Sequence, residues 1–299
     1  MSAAIALVTA RAARGLDEDL PPLKLALHSL GAEAQVVDWD DTQVDWASFD
    51  LALLRSTWDY AERLPEFLAW VERAANATTL LNPAPVVRWN TDKHYLAQLA
   101  HAGVPTVPST FIEPGDSAAP VLDRFLAQHP CAEFVVKPSV GAGSRDTRRH
   151  TRAGIASALE HAQRLLDERR SVLLQPYLER VDEEGETALI YFTGRFSHAV
   201  CKGPLLAPGA QATRALFAAE HIVARPPGAD ELRVAEQVLA GLPFKAPLYA
   251  RIDLIRDAER APRLLELELA EPSLFFAHAP GSAERFAAAV SAAIQGRRA

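Results

Sequence analysis

The sequence predicts a chain that begins as α/β, with helices over a parallel sheet, and continues as α+β. Three observations lead there. Apolar strands and amphipathic helical stretches alternate through the first third. From Glu186 onward, strand follows strand. And 49% of the 299 residues are hydrophobic, yet no run approaches the roughly 20 apolar residues of a membrane span, so the apolar content goes into packed cores.

Residues 5–10 form a short apolar strand; the start lacks the basic segment of a signal peptide. An amphipathic stretch over 17–30 stops at Gly31, with Pro21 and Pro22 where a first helical turn tolerates them. Strands follow at 34–37 and 51–54, and helical spacing at 64–75. Asn82-Pro83-Ala84-Pro85 breaks the pattern and marks a boundary. A helix over 91–102 is capped by Gly103 and stopped by Pro105. Strands at 134–137 and 172–175 each run into a proline, Pro138 and Pro176. Consecutive strands at 187–192, 196–200, 248–255 and 264–269 indicate an antiparallel sheet, and 283–294 a closing helix. The expected parts are residues 1–90, 91–178 and 179–299.

A formal charge of −7 supplies no basic surface for nucleic acid or an anionic membrane. Cys131 and Cys201 belong to no C-x-x-C pair, as expected of two reduced thiols in a cytoplasmic protein. Lysine is scarce: Lys24, Lys93, Lys137, Lys202 and Lys245 are the five present. Each one in a recognisable context therefore carries weight.

Side chains two apart on a strand share a face. Arg251 and Asp253 therefore point one way, as do Glu266 and Glu268, while Ile252, Leu254, Leu265, Leu267 and Leu269 face the core. If the two strands pair through the polar turn 257–263, the three carboxylates converge and call for a cation such as Mg²⁺. A hairpin with a solvated acidic face gives the same alternation. Lys137 ends a strand ahead of a small-residue loop, 139–144, whose Ser139, Gly141, Gly143 and Ser144 let backbone amides approach phosphate oxygens. It is neither a Walker sequence nor a dinucleotide fingerprint. Gln175-Pro176-Tyr177-Leu178 follows an apolar strand and precedes an acidic run that ends at Glu186.

In this order the segments resemble the ATP-grasp superfamily, nearest its glutathione synthetase-like and D-alanine–D-alanine ligase-like members. The resemblance covers essentially the whole chain. It rests on Lys93 opening a helix before Gly103-Val104-Pro105, Lys137-Pro138 before the small-residue loop, Gln175 to Leu178 as a hinge, and Asp253 with Glu266-x-Glu268. The spacing of the last three, thirteen residues and then two, is that of the metal-binding Asp, Glu and Asn of D-alanine ligases. The resemblance implies an ATP-grasp fold: an N-terminal parallel-sheet domain plus two α+β subdomains, central and C-terminal, that clasp ATP. It implies that Lys93 and Lys137 contact the phosphates under the closing loop, that Gln175, Tyr177 and Leu178 hold adenine, and that Glu186 holds the ribose. Arg251 would brace the transferred phosphoryl group, Lys202 would reach the γ-phosphate or substrate, and Asp253, Glu266 and Glu268 would bind two Mg²⁺ ions. Two features depart from the family pattern: Glu268 stands where many members have Asn, and the loop is poor in glycine. The implied chemistry is phosphorylation of a carboxylate by ATP, followed by attack of nitrogen on the acyl phosphate. A homodimer is also implied.

Arg55-Ser56-Thr57-Trp58-Asp59-Tyr60 lies at the C-terminal end of a parallel strand, where such sheets bind ligands. Arg55 is placed to grip a carboxylate, Ser56 and Thr57 to donate, and Asp59 to hold an ammonium. The same residues could instead tie the loop together. With Asn82-Pro83, Trp89-Asn90 and Glu271-Pro272-Ser273-Leu274, this run is similar to a small ATP-grasp subgroup that cyclises O-ureido-D-serine to D-cycloserine, losing CO₂ and ammonia. The resemblance thus implies a small amino-acid-like substrate and a role in antibiotic biosynthesis. An intermolecular ligase joining a carboxylate to an amine fits the same residues. A non-catalytic nucleotide-binding module has no need of three clustered acids.

Overall fold

The computed structural model describes residues 2–206, 216 and 221–298. The first sheet is parallel, with β1 (Ala3–Thr9), β2 (Ala32–Asp38), β3 (Leu51–Ser56) and β4 (Thr79–Leu81) in the order β2-β1-β3-β4. Strand alternation sends Ile5, Leu7, Leu51 and Leu53 to one face, under α1 (Leu20–Ser29). It sends Ala6, Val8, Ala52 and Leu54 to the other, under α2 (Leu64–Ala77). Both faces are dry, which is why these strands read as continuous apolar runs.

The polypeptide then continues through α3 (Ala84–Asn90) and α4 (Tyr95–His101). The helix expected over 91–102 is therefore two pieces of a longer path, and Lys93 sits in the turn between them. Pro83 and Pro85 open α3 rather than separating two parts, because a first helical turn needs no proline N–H. Ala84 and Val87 pack with the first sheet, while Val86 packs with the third sheet described below. Residues 95–104 pack with that third sheet too, through Tyr95, Leu96, Leu99 and Val104, in a cluster that also takes in Leu173 of the central sheet.

The central sheet is antiparallel: β5 (Thr110–Ile112), β6 (Glu133–Pro138), β7 (Arg148–Thr151) and β8 (Val172–Pro176), in the order β5-β8-β6-β7. Phe134, Val136, Val172 and Leu174 face α5 (Ala118–Gln128) and α6 (Ile155–Asp167). Their alternates Val135, Lys137 and Gln175 turn toward the cleft. After a short turn, α7 (Val181–Glu184), comes the third sheet. It contains β9 (Glu186–Phe192), β10 (Arg195–Lys202), β11 (Ile222–Ala224), β12 (Tyr249–Arg256) and β13 (Pro262–Glu268), ordered β11-β10-β9-β12-β13, all antiparallel. One face carries α4 and α8 (Ala229–Ala240). On the other, Ile190, Phe192 and Tyr249 pack against Phe286 and Val290 of α9 (Ser282–Arg298), which also lies on α1. Farther along the same strands, that second face is left open, and there the charged residues stand.

Helices α5, α6 and α8 and the strands β4, β5, β7 and β11 are absent from the sequence-based expectation. The strands have only three or four residues each, too few to show a period. α6 does carry a helical signal, burying Ala158, His161, Ala162, Leu165 and Leu166 at i, i+3 and i+4 spacing. No helix among the described residues is long and apolar enough to cross a membrane.

Two asparagines stitch the parts together. The Asn82 side chain donates to Tyr249 O (3.0 Å) and Leu269 O (2.7 Å) and accepts from the Leu248 N–H (2.8 Å), all fully buried. Asn90 donates to Leu267 O (2.7 Å) and accepts from Leu269 N–H (2.6 Å). Asn82→Ala leaves three backbone groups of the third sheet and its extension without their side-chain partner. We expect it to lower the unfolding free energy by about 3 kcal/mol, since each orphaned buried group costs roughly 1–3 kcal/mol before relaxation. Chemical denaturation measures this, and a loss below about 1 kcal/mol would show that the stitch carries no stability.

Candidate active site

Strands β12 and β13 pair Arg251 with Glu268 and Asp253 with Glu266, so the expected charged face exists. The register shifts just after Asp253, and Leu254 faces Leu264. Leu264 therefore takes the core position expected of Leu265, and Leu265 turns into the cleft.

The carboxylates do not form a bare cluster. Arg251 donates to Asp253 at 2.8–3.1 Å and contacts Glu268. Lys202, from β10, lies 3.1 Å from Asp253 and also contacts Glu186. Lys93 pairs with Glu266 at 2.9 Å and donates to Gly141 O at 2.7 Å. Lys137 ends β6 in the same cleft. Burial pushes Glu186 and Glu268 up to about 8. Burial acts on Asp253 as well, but Arg251 and Lys202 outweigh it and hold this carboxyl well below the usual range. Lys93 and Lys137 do the same, less strongly, for Glu266. Burial brings the Lys137 ammonium down to about 8.

Among the described residues no three His, Cys, Asp or Glu side chains stand ready to ligate an ion. The reason is visible: each of the three proposed ligands is turned toward a cation. The donor set nevertheless suits Mg²⁺. The oxygens are hard and anionic and stand on one face of the hairpin.

The cleft has two chambers. The first, between the central and third sheets, has apolar walls from Val135, Ile255 and Leu265, the hinge Tyr177 and Leu178, and the charged floor just described. The second, against the first sheet, is lined by Leu16, Asp17, Trp58, Glu271, Ser273 and Phe275 among others. Arg251, Glu266, Glu268, Gly141 and Gly143 belong to both, so the chambers meet at the acidic hairpin.

Residues 5–82 match the family model described as the N-terminal domain of D-cycloserine synthetase DcsG. Over 293 residues the chain is 43% identical to the cycloserine biosynthesis protein DcsG of Streptomyces lavendulae, covering 96% of this chain and 97% of that protein. The chain belongs to the D-cycloserine synthetase family of ATP-grasp ligases. The crystal structure of D-cycloserine synthetase DcsG aligns with a TM-score of 0.91 at 41% identity, over 97% of this chain and 99% of that one. The fold alone is shared with D-alanine–D-alanine ligase from Bacillus anthracis, at TM-score 0.71 and 14% identity over 100% and 98% of the two chains.

Of the residues expected at the nucleotide, Lys93, Lys137, Gly141, Gly143, Ser144, Gln175, Tyr177, Leu178, Glu186, Lys202, Arg251, Glu266 and Glu268 all line the first chamber of this D-cycloserine synthetase family member. Asp253 lies beneath, reached through Lys202 and Arg251. Ser139 is buried and structural: its carbonyl accepts from the Lys93 N–H and its N–H donates to Ser171 O. The Gln175 amide donates to the Ser109 hydroxyl at 2.9 Å.

The 55–60 run is placed differently from the expected substrate grip. Arg55 is fully buried and donates to Pro272 O (3.1 Å) and Asp19 (3.5 Å). Ser56 hydrogen-bonds Thr9 at 2.8 Å, and Thr57 is fully buried. Asp59 accepts from the Trp39 indole at 2.8 Å and pairs with Arg63. The described linings of the two chambers include Trp58 but none of these four. The run instead clamps the loop after β13: Trp58 donates to Glu271 O at 3.0 Å, alongside the Arg55 bond to Pro272.

Asp19 completes the clamp, accepting the backbone N–H groups of Leu274 (2.5 Å), Phe275 (3.2 Å) and Phe276 (2.8 Å). Gathering three successive amides on one carboxylate bends the backbone, and Phe275 adopts a left-handed φ of 55° that a non-glycine residue holds only under constraint. Asp17, Glu271, Ser273 and Phe275 are absent from the sequence-based expectation; Glu271 and Phe275 meet partners 213 and 256 positions away. The Glu271-Pro272-Ser273 run close behind Glu268 was the available signal. Asp19→Ala should speed amide exchange at residues 274–276 and cost about 3 kcal/mol of stability, from the loss of charge-assisted bonds worth roughly 1.5–3 kcal/mol each. Unchanged exchange at those three amides would refute the clamp.

Proposed function

We propose that this D-cycloserine synthetase family ligase uses Mg²⁺-ATP to phosphorylate the carboxylate of one small amino-acid substrate. A nitrogen of the same molecule then attacks the activated carbonyl. The preferred substrate is O-ureido-D-serine and the ring product D-cycloserine, the carbamoyl group on the ring nitrogen being lost with water as CO₂ and ammonia. What supports this reading most is the meeting of the two chambers at Arg251, Glu266 and Glu268, which puts a cleft lined by the hinge and the lysines and a second chamber against the first sheet on either side of one charged wall.

The residues divide the work by chemistry. Val135, Ile255 and Leu265 offer adenine an apolar slot, and the backbone of Tyr177 and Leu178 offers its edge hydrogen bonds. Lys93 and Lys137 supply charge to the phosphates, with the amides of the 139–144 loop above them. Glu186 engages Lys202 and Asp253, so serving the ribose requires it to exchange those contacts. Arg251, spanning both chambers, neutralises the group in transfer. Asp253, Glu266 and Glu268 would hold magnesium, which when bound offsets phosphate charge and polarises the transferring phosphoryl group. The count of two ions rests on the resemblance to D-alanine ligases.

Joining two groups of one molecule removes much of the entropic barrier to bond formation and needs no second substrate pocket. The deciding experiment is incubation with Mg²⁺-ATP and O-ureido-D-serine: ADP, phosphate and D-cycloserine are expected without an added amine. A requirement for a separate amine, with a linear amide as product, would replace cyclisation by intermolecular ligation. Lys137→Ala should weaken ATP binding by about 10- to 100-fold, the worth of one charge-assisted contact of roughly 1.5–3 kcal/mol. Calorimetry reads this directly; wild-type affinity in the variant would remove Lys137 from the phosphate site.

A further inference from the structure

The second chamber contains a carboxylate that the phosphate-binding lysines and the acidic hairpin leave unused. Glu271 is buried, lines the chamber, and lies near the buried Tyr60 hydroxyl, which favours its charged form. Burial and the nearby Glu271 hold the Tyr60 phenol well above its ordinary range, so it keeps its proton. Among the described residues no cation forms an ion pair with Glu271.

The other acids of the chamber are engaged or peripheral. Asp17 pairs with Arg55 at 4.0 Å and accepts the Asp19 N–H at 3.0 Å. Asp19 is committed to the backbone of residues 274–276. Glu18 is exposed at the rim. Glu266 and Glu268 are held by Lys93 and Arg251. Glu271 is the buried acid of this chamber without an ion-pair partner among the described residues, and its main chain is fixed by Trp58.

Position gives this carboxylate a task. The substrate carboxylate must lie at the shared wall, beside Arg251, to receive a phosphoryl group from the first chamber. The nucleophilic nitrogen, a few bonds away in the same molecule, then falls inside the second chamber, where Glu271 follows Glu268 along the same wall.

We propose that Glu271 is a catalytic residue that orients the attacking nitrogen and takes its proton, and that Tyr60 is the positioning residue that aims the carboxylate. This rests on the carboxylate-activation reading above. The nitrogen lone pair attacks the carbonyl carbon and a C–N bond forms. The carbon–oxygen bond to phosphate breaks, its electron pair leaving on inorganic phosphate. The N–H proton passes to the Glu271 carboxylate. Burial, opposed by the Tyr60 hydroxyl and by Lys93, pushes Glu271 up to about 7, where a base is both partly ionised at neutral pH and strong enough to accept a proton.

The test separates activation from ring closure. Wild type, Glu271→Gln and Tyr60→Phe are assayed with Mg²⁺-ATP, O-ureido-D-serine and hydroxylamine, which traps an acyl phosphate as the hydroxamate. Glu271→Gln should keep ADP release within about threefold of wild type, with hydroxamate in place of the ring compound. Without hydroxylamine its ring closure should fall by about 100-fold or more, the scale of a lost general base. Tyr60→Phe should show the same split, about tenfold in ring closure. If ADP release falls in step with ring closure in Glu271→Gln, the residue serves activation or the metal and the assignment is overturned. Unchanged ring closure overturns it equally. Absence of substrate-dependent ADP release in the wild type would instead sink the activation reading itself.

Discussion

The cleft depends on one electrostatic constraint. Glu186, Asp253, Glu266, Glu268 and Glu271 gather along one cleft, Asp253 and Glu271 buried and the other three half-buried. Like charges about 4 Å apart repel by roughly 4 kcal/mol at the effective dielectric of a protein. The acids are tolerable only because cations are delivered from different places: Arg251 from the same strand, Lys202 from β10, Lys93 from the turn between two helices, and Lys137 from the central sheet. No single sheet could supply that set. The meeting of the central and third sheets, with the α3–α4 turn between them, is therefore a condition for the charged face.

The same cations account for the difference between the chain alone and the working site. Lys93, Lys202 and Arg251 now neutralise carboxylates, and they are the groups assigned to phosphate. Under the proposed function, moving them onto phosphate would release the carboxylates for magnesium and keep charge compensated throughout. Such an exchange avoids exposing an unpaired buried charge, which costs several kcal/mol.

Around this centre the scaffold is rigid for polar reasons as much as apolar ones. Asn82 and Asn90 bind backbone groups of the third sheet from outside it. Asp19, Arg55 and Trp58 fix the loop that carries Glu271 and Ser273. An arginine at the end of a parallel strand, the place where ligands usually bind, here serves the protein's own chain. What it positions is the loop that lines the second chamber.

Much was determined by sequence alone. Period-2 alternation put Arg251, Asp253, Glu266 and Glu268 on one face, and the pairing register agrees. Strand–helix alternation indicated the parallel first sheet, and the ordered lysines and hinge line one chamber of the cleft. These features are local: a strand's period and a residue's place at its end are written within a few neighbours. Tertiary structure decided the rest. One bulged residue swapped Leu264 and Leu265 between core and cleft. The break at 91–94 set Lys93 in a turn. Arg55 went inward to Pro272, and Asp19 gathered amides some 255 positions away, because the packing of α1 and α9 brings those segments together. No periodicity in a single chain segment encodes such a contact, since it exists only once separate sheets have docked.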